Sequence, residues 1–68
     1  MTTFRNRLKE LRKDRNLTQK QLSIILNTTN SSICDWETGR AEPDLATLVF
    51  LCDYFEVSAD YLLGRKDY

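Results

Sequence analysis

Thr18 and Gln21 form a T-x-x-Q capping box, with Leu17 just before the cap and Leu22 at the fourth helical position. In such a box the cap hydroxyl accepts from the third helical N–H, and the glutamine side chain returns a bond to the cap's own N–H. The flanking leucines form a hydrophobic staple that fixes the angle at which the chain enters the helix. Leu22, Ile25 and Leu26 recur at i, i+3 and i+4 and give that helix one apolar face. Asn27 follows, and asparagine tolerates the left-handed conformation that helix ends favour. Thr29 can cap a second helix whose Ile33 and Trp36 point inward, and Gly39 stands where that helix should end. Residues 17–39 therefore read as two short helices joined by a tight turn. Asn30, Ser31, Ser32 and Asp35 are left facing away from the apolar side.

This pattern admits two readings. One is an ordinary helical hairpin in a small bundle, with Asn30, Ser31 and Ser32 as solvated surface; caps and polar residues at helix starts are common. The other is a helix-turn-helix over residues 18–38, whose second helix enters the DNA major groove and reads base edges with its N-terminal residues.

The remainder of the chain extends the helical pattern. Phe4, Leu8 and Leu11 share one face of a first helix, predicted from Thr3 to near Arg15. Gly39 to Pro43 is a turn, because proline pushes Glu42 toward an extended conformation. Asp44 can cap a fourth helix carrying Leu45, Leu48, Val49, Leu51, Cys52 and Phe55, apolar around more than half its circumference. That composition predicts the central buried helix. Ser58 can cap a fifth, with Val57 and Leu62 as its staple and Gly64 at its end. There is no β pattern, repeat or linker. The expectation is one all-α domain over residues 1–68, with Phe4, Leu8, Leu11, Leu22, Leu26, Ile33, Trp36, Leu48, Leu51 and Phe55 in one core.

Composition narrows the chemistry. Sixty-eight residues allow a single small core of modest stability. The two cysteines, Cys34 and Cys52, form no C-x-x-C, and there is no histidine, so a zinc-finger type of metal site is not expected. Without histidine, a phosphate loop or a plausible pair of carboxylates, the chain offers catalysis nothing to use. No enzyme activity, cofactor or small-molecule ligand is expected. No run is long or apolar enough to span a membrane, and the start Met1-Thr2-Thr3-Phe4 lacks the apolar stretch of a signal peptide. Free cysteines suit a reducing compartment, so a cytoplasmic location is expected. The net charge is zero but unevenly spread. The first twenty residues hold seven basic side chains against two acidic ones, whereas residues 21–64 hold Arg40 against seven acids. Such a distribution fits either a solvated basic helix beside an acidic one, or a polar molecule whose basic side meets phosphate.

From about Phe4 to Gly64 the chain resembles the Cro/phage-repressor (XRE-type) helix-turn-helix family. The matching elements are Arg7-Leu8-Lys9-Glu10-Leu11-Arg12, Leu17-Thr18-Gln19, Leu22, Thr29, Ile33, Trp36-Glu37-Thr38-Gly39-Arg40, Glu42-Pro43-Asp44, Leu45-Ala46-Thr47-Leu48 and Ala59-Asp60-Tyr61-Leu62-Leu63-Gly64. The resemblance implies a five-helix, lambda-repressor-like fold and sequence-specific binding of double-stranded DNA to regulate transcription. The regulator implied is a repressor of phage or mobile-element type, bound as a homodimer to an inverted repeat. It also implies roles for individual residues. Asn30, Ser31, Ser32 and Asp35 would face base edges, where asparagine suits adenine, serine several bases, and aspartate the cytosine amino group. Gln19, Lys20, Thr38 and Arg40 would hold phosphates, which position the protein without reading sequence. Arg12 and Glu37 would form a structural pair tying the first helix to the third. Trp36 is read as a core aromatic. Asp35 departs from the family, which more often carries a basic or amide side chain there. With the neutral net charge, it favours a second reading: a protein-interaction module or antitoxin that keeps the fold and binds DNA weakly or not at all.

Overall fold

Side-chain caps decide where the last four of the five helices begin, whereas the first follows Thr3 without a side-chain cap bond. The computed structural model describes residues 3–68; Met1 and Thr2, part of the start read above as lacking a signal-peptide stretch, lie outside the described residues. Five helices form among the described residues, and no strand. They are α1 (Phe4–Asp14), α2 (Gln19–Ile25), α3 (Asn30–Thr38), α4 (Leu45–Phe55) and α5 (Ala59–Leu62). The Thr18 box is complete: Gln21 N–H donates to Thr18 Oγ1 at 3.0 Å and Thr18 N–H donates to Gln21 Oε1 at 2.8 Å. Thr29, Asp44 and Ser58 each accept from the N–H three residues on, at 3.0, 2.8 and 3.0 Å. Caps of this kind each contribute about 1 kcal/mol.

Left-handed residues close several helices. Asn27 ends α2 with φ 55°, as its residue type suggested, and Gly39 ends α3 with φ 82°. Glu56 closes α4 with φ 57°. A side chain there costs about 1–2 kcal/mol relative to ordinary backbone, and nothing in the residue type announced it.

Leu8, Leu22, Ile33, Leu51 and Leu62 are fully buried, with Trp36 and Phe55 beside them. Phe4, Leu11, Leu26 and Leu48 pack around this centre while partly exposed. The fourth helix is not the buried one that its composition predicted. Only Leu51 and Phe55 of α4 are buried, while Leu45 is 79% exposed and Val49 59%. α4 lies against α5, whereas α1 packs on both α3 and α5 and α2 packs on α3. So small a core is filled by side chains from all five helices, α4 giving only one stripe. Leu45 and Val49, on the other side of α4, stay largely exposed among the described residues.

The cap of α4 is titratable. Hydrogen bonds from the Thr47 side chain and backbone hold the Asp44 carboxyl below the usual carboxylate range. Its folded pKa thus lies below its unfolded value. The contribution to stability is present at neutral pH and is lost as pH falls through the lowered pKa. In an NMR titration the Thr47 amide proton should shift with a midpoint below about 3.9, the ordinary aspartate value. The Ser32 amide, bonded to the neutral Thr29 cap, should not follow it. A Thr47 midpoint at or above the ordinary value would show that the cap does not act in solution.

Candidate nucleic-acid interface

α2 and α3 are held at a fixed angle by the buried Leu22 and Ile33 and by the turn between them. In that turn Asn27 N–H donates to Ile24 O at 3.1 Å and Thr28 N–H to Ser23 O at 2.9 Å. Because Thr29 caps α3 from outside, the first helical residues, Asn30 and Ser31, stand exposed at the tip. Ser32 and Asp35 follow on the flank and are half-buried. Ser32 Oγ lies 2.9 Å from Thr29 Oγ1, so its hydroxyl is shared with the cap. All four side chains proposed from sequence to face bases therefore lie on one short helix. Asn30 and Ser31 are its most open members.

The four residues expected at phosphates are placed differently from one another. Lys20 and Arg40 are exposed. Arg40 is set by its own N–H, which donates to Asp35 O at 2.9 Å in the turn that Gly39 makes possible. Gln19 is half-buried, and its Nε2 donates to Glu37 Oε1 at 3.1 Å. One amide N–H is thereby committed inward, leaving the other for an outside acceptor. The Thr38 hydroxyl donates to Cys34 O at 2.9 Å, with Asp35 O a further 3.3 Å neighbour. It can donate to a phosphate only by releasing α3's own carbonyls.

Arg12 and Glu37 meet as a two-pronged pair. Arg12 Nε donates to Glu37 Oε2 at 2.6 Å and Nη2 to Oε1 at 3.0 Å. The third edge of the guanidinium, Nη1, donates to Leu17 O at 2.7 Å. The two side chains are 10% and 2% exposed. With the bond from Gln19, this knot joins α1, α2 and α3 and fixes how α3 projects.

Other features were not singled out from sequence. Arg5 Nη1 donates to Thr38 O at 3.3 Å, at the far end of α3. The signal for it was Arg12, which lies seven residues further along α1 and so shares a helical face with Arg5. Arg7 is buried, with its guanidinium 4.0 Å over the Tyr61 ring. Cys34 lies half-buried on α3 and Cys52 half-buried on α4, both as free thiols. Burial, and then the neighbouring Asp53 charge, push the Cys52 thiol up, away from reactivity. Among the described residues no group of three or more candidate ligands is placed to hold a metal ion. No helix among them is long and apolar enough to cross a membrane.

Comparison with known proteins gives consistent matches. Residues 6–67 match a family described as a helix-turn-helix domain. The HTH-type transcriptional regulator ImmR of Bacillus subtilis is 39% identical over 61 residues, covering 90% of this chain and 48% of that protein. The HTH-type transcriptional activator BcrR of Enterococcus faecalis is 34% identical over 64 residues, covering 94% of this chain and 31% of that protein. The chain thus spans between about a third and about half of these relatives. Among solved structures, the P22 c2 repressor protein in complex with a synthetic operator superposes with a TM-score of 0.88 at 27% identity, covering 97% of this chain and 100% of that one.

Proposed function

The chain belongs to the helix-turn-helix domain family, and from that premise we propose that residues 1–68 act as one DNA-binding domain of a transcriptional regulator. The observation that carries this reading is the exposed start of α3, with Asn30 and Ser31 at its tip and Ser32 and Asp35 on its flank. The Arg12–Glu37 knot holds that helix rigidly, as base reading requires. Asn30, Ser31 and Ser32 read base edges in the major groove, and Asp35 faces the same groove as a carboxylate close to the phosphates. Lys20, Arg40 and the remaining amide N–H of Gln19 hold phosphates, and Thr38 joins them only by giving up its bond within α3. The regulator is a cytoplasmic repressor of phage or mobile-element type that acts by binding and not by catalysis; the similarity to the P22 c2 repressor supports its being a repressor. It binds an inverted repeat as a homodimer, with half-site centres about one DNA turn apart. The exposed apolar side of α4, with Leu45 and Val49, supports self-association.

Selection of bound sequences from a random duplex library tests the reading and yields the site for three variants. Arg40→Ala should weaken binding to every duplex alike and flatten the salt dependence by about one unit of slope. Asn30→Ala should cost about 1–3 kcal/mol on the selected site alone and relax the choice of base at one position per half-site. Asp35→Ala should raise affinity for all duplexes, since a carboxylate near phosphates repels them. A loss confined to the selected site would instead make Asp35 a reader of cytosine. If the intact protein shows no salt-dependent binding to any duplex at low ionic strength, the protein-interaction module that Asp35 and the neutral net charge favour takes its place.

A further inference from the structure

Arg5 does two things at the C-terminal end of α3. Its Nη1 donates to Thr38 O, one of the last-turn carbonyls that a helix leaves without an internal partner. It also packs over the turn: a Cβ on Gly39 would stand 2.6 Å from Nη1 and 3.2 Å from Cδ of Arg5. Glycine is favoured there by its φ of 82°, and the absence of a Cβ lets the Arg5 side chain lie close over the turn. The contact to Thr38 O orients the guanidinium but uses only one of its five N–H donors. Arg5 is exposed, so the others are open to an outside acceptor. Beside it lies a cleft of about 220 Å³, lined by Thr3, Arg5, Trp36, Gly39 and Glu42 among others. Thr3 Oγ1, at the edge of that cleft, is buried and has no hydrogen-bond partner among the described residues, and its burial keeps it out of reach of DNA. Arg40, exposed and fixed through its N–H, is the next residue after Gly39.

We propose that Arg5 is a phosphate-binding residue, its guanidinium pre-oriented by Thr38 O so that its free edge donates to a phosphodiester of the DNA backbone beside the turn that carries Arg40. The proposal rests on the DNA-binding reading above and adds a contact from α1, outside the helix-turn-helix itself. An arginine suits this position better than a lysine, because a planar fork can hold a helix carbonyl with one edge and a phosphate with another.

The test uses the whole chain and a duplex selected by the wild-type protein, with affinity measured across salt concentrations. Arg5→Gln keeps an amide donor for Thr38 O and removes the charge. It should weaken binding to all duplexes alike and flatten the slope of log K against log salt by about one unit, with little change in melting temperature. Arg5→Lys keeps the charge but loses the planar fork. It should leave the salt slope near wild type while weakening binding several-fold, which a charge acting only at a distance would not give. An unchanged slope in Arg5→Gln, or wild-type affinity in Arg5→Lys, would overturn the proposal and leave Arg5 as a helix cap. Failure of the wild type to bind any duplex would overturn the DNA-binding reading, and this contact with it.

Discussion

Replacing Trp36 with alanine is expected to leave the chain largely unfolded at room temperature. Trp36 is 8% exposed and belongs to the same buried cluster as Leu8, Ile33 and Leu51. Truncating a buried aromatic of this size costs about 3–5 kcal/mol, from lost transfer energy and the cavity left behind. A core this small supplies about 3–5 kcal/mol in all. The loss therefore matches the whole stability of the fold, and α3, which carries the residue, would detach from α1. Circular dichroism with urea titration measures it directly. The expected result is loss of most helical signal without denaturant. A cooperative transition within about 1 kcal/mol of wild type would mean that Trp36 does not fill the core in solution.

The second large effect is expected at Glu37. Glu37→Ala removes the acceptor for Arg12 Nε, Arg12 Nη2 and Gln19 Nε2 together. The Arg12 side chain, 10% exposed, is then left as a buried cation whose one remaining bond is to Leu17 O. Breaking a buried pair from one side costs about 3–5 kcal/mol, most of it the penalty of the orphaned charge. Removing both charges is a different matter. The double substitution Arg12→Met with Glu37→Leu should recover most of the loss, because well-packed apolar side chains often replace a buried pair without net cost. A Glu37→Ala loss below about 1 kcal/mol would put the contact among exposed surface pairs. A double variant no better than the single would show that geometry, not charge burial, dominates.

Much of this structure was legible in the sequence because it is encoded locally. The Thr18–Gln21 box, the Thr29, Asp44 and Ser58 caps and the left-handed Asn27 and Gly39 are decided within four residues of themselves. The Arg12–Glu37 pair came from family resemblance, since residues 25 positions apart leave no local trace. The sidedness of α4 was not legible. A helix apolar around most of its surface carries no periodic signal for which side is inside, and the decision falls to how much core the other helices leave open. Gln19 and Arg5 share a different limitation. Each was readable as an exposed polar residue, but its side chain reaches a partner on α3 that comes within range only once α3 is docked. The positions of Asn30 and Ser31 were legible because they depend only on where α3 starts.

The separation between what holds α3 and what α3 displays bears on how such a chain can change over generations. The knot of Arg12, Gln19 and Glu37 and the buried Ile33 and Trp36 set the helix in place. The exposed side chains of Asn30 and Ser31 are not engaged in that support. Surface replacements of this kind usually alter stability by no more than about 0.5 kcal/mol. On the base-reading role proposed for them, target preference can drift by single substitutions at the tip while the scaffold stays as it is. One fold can thus give rise to many regulators with different binding sites, each no less able to fold than its ancestor.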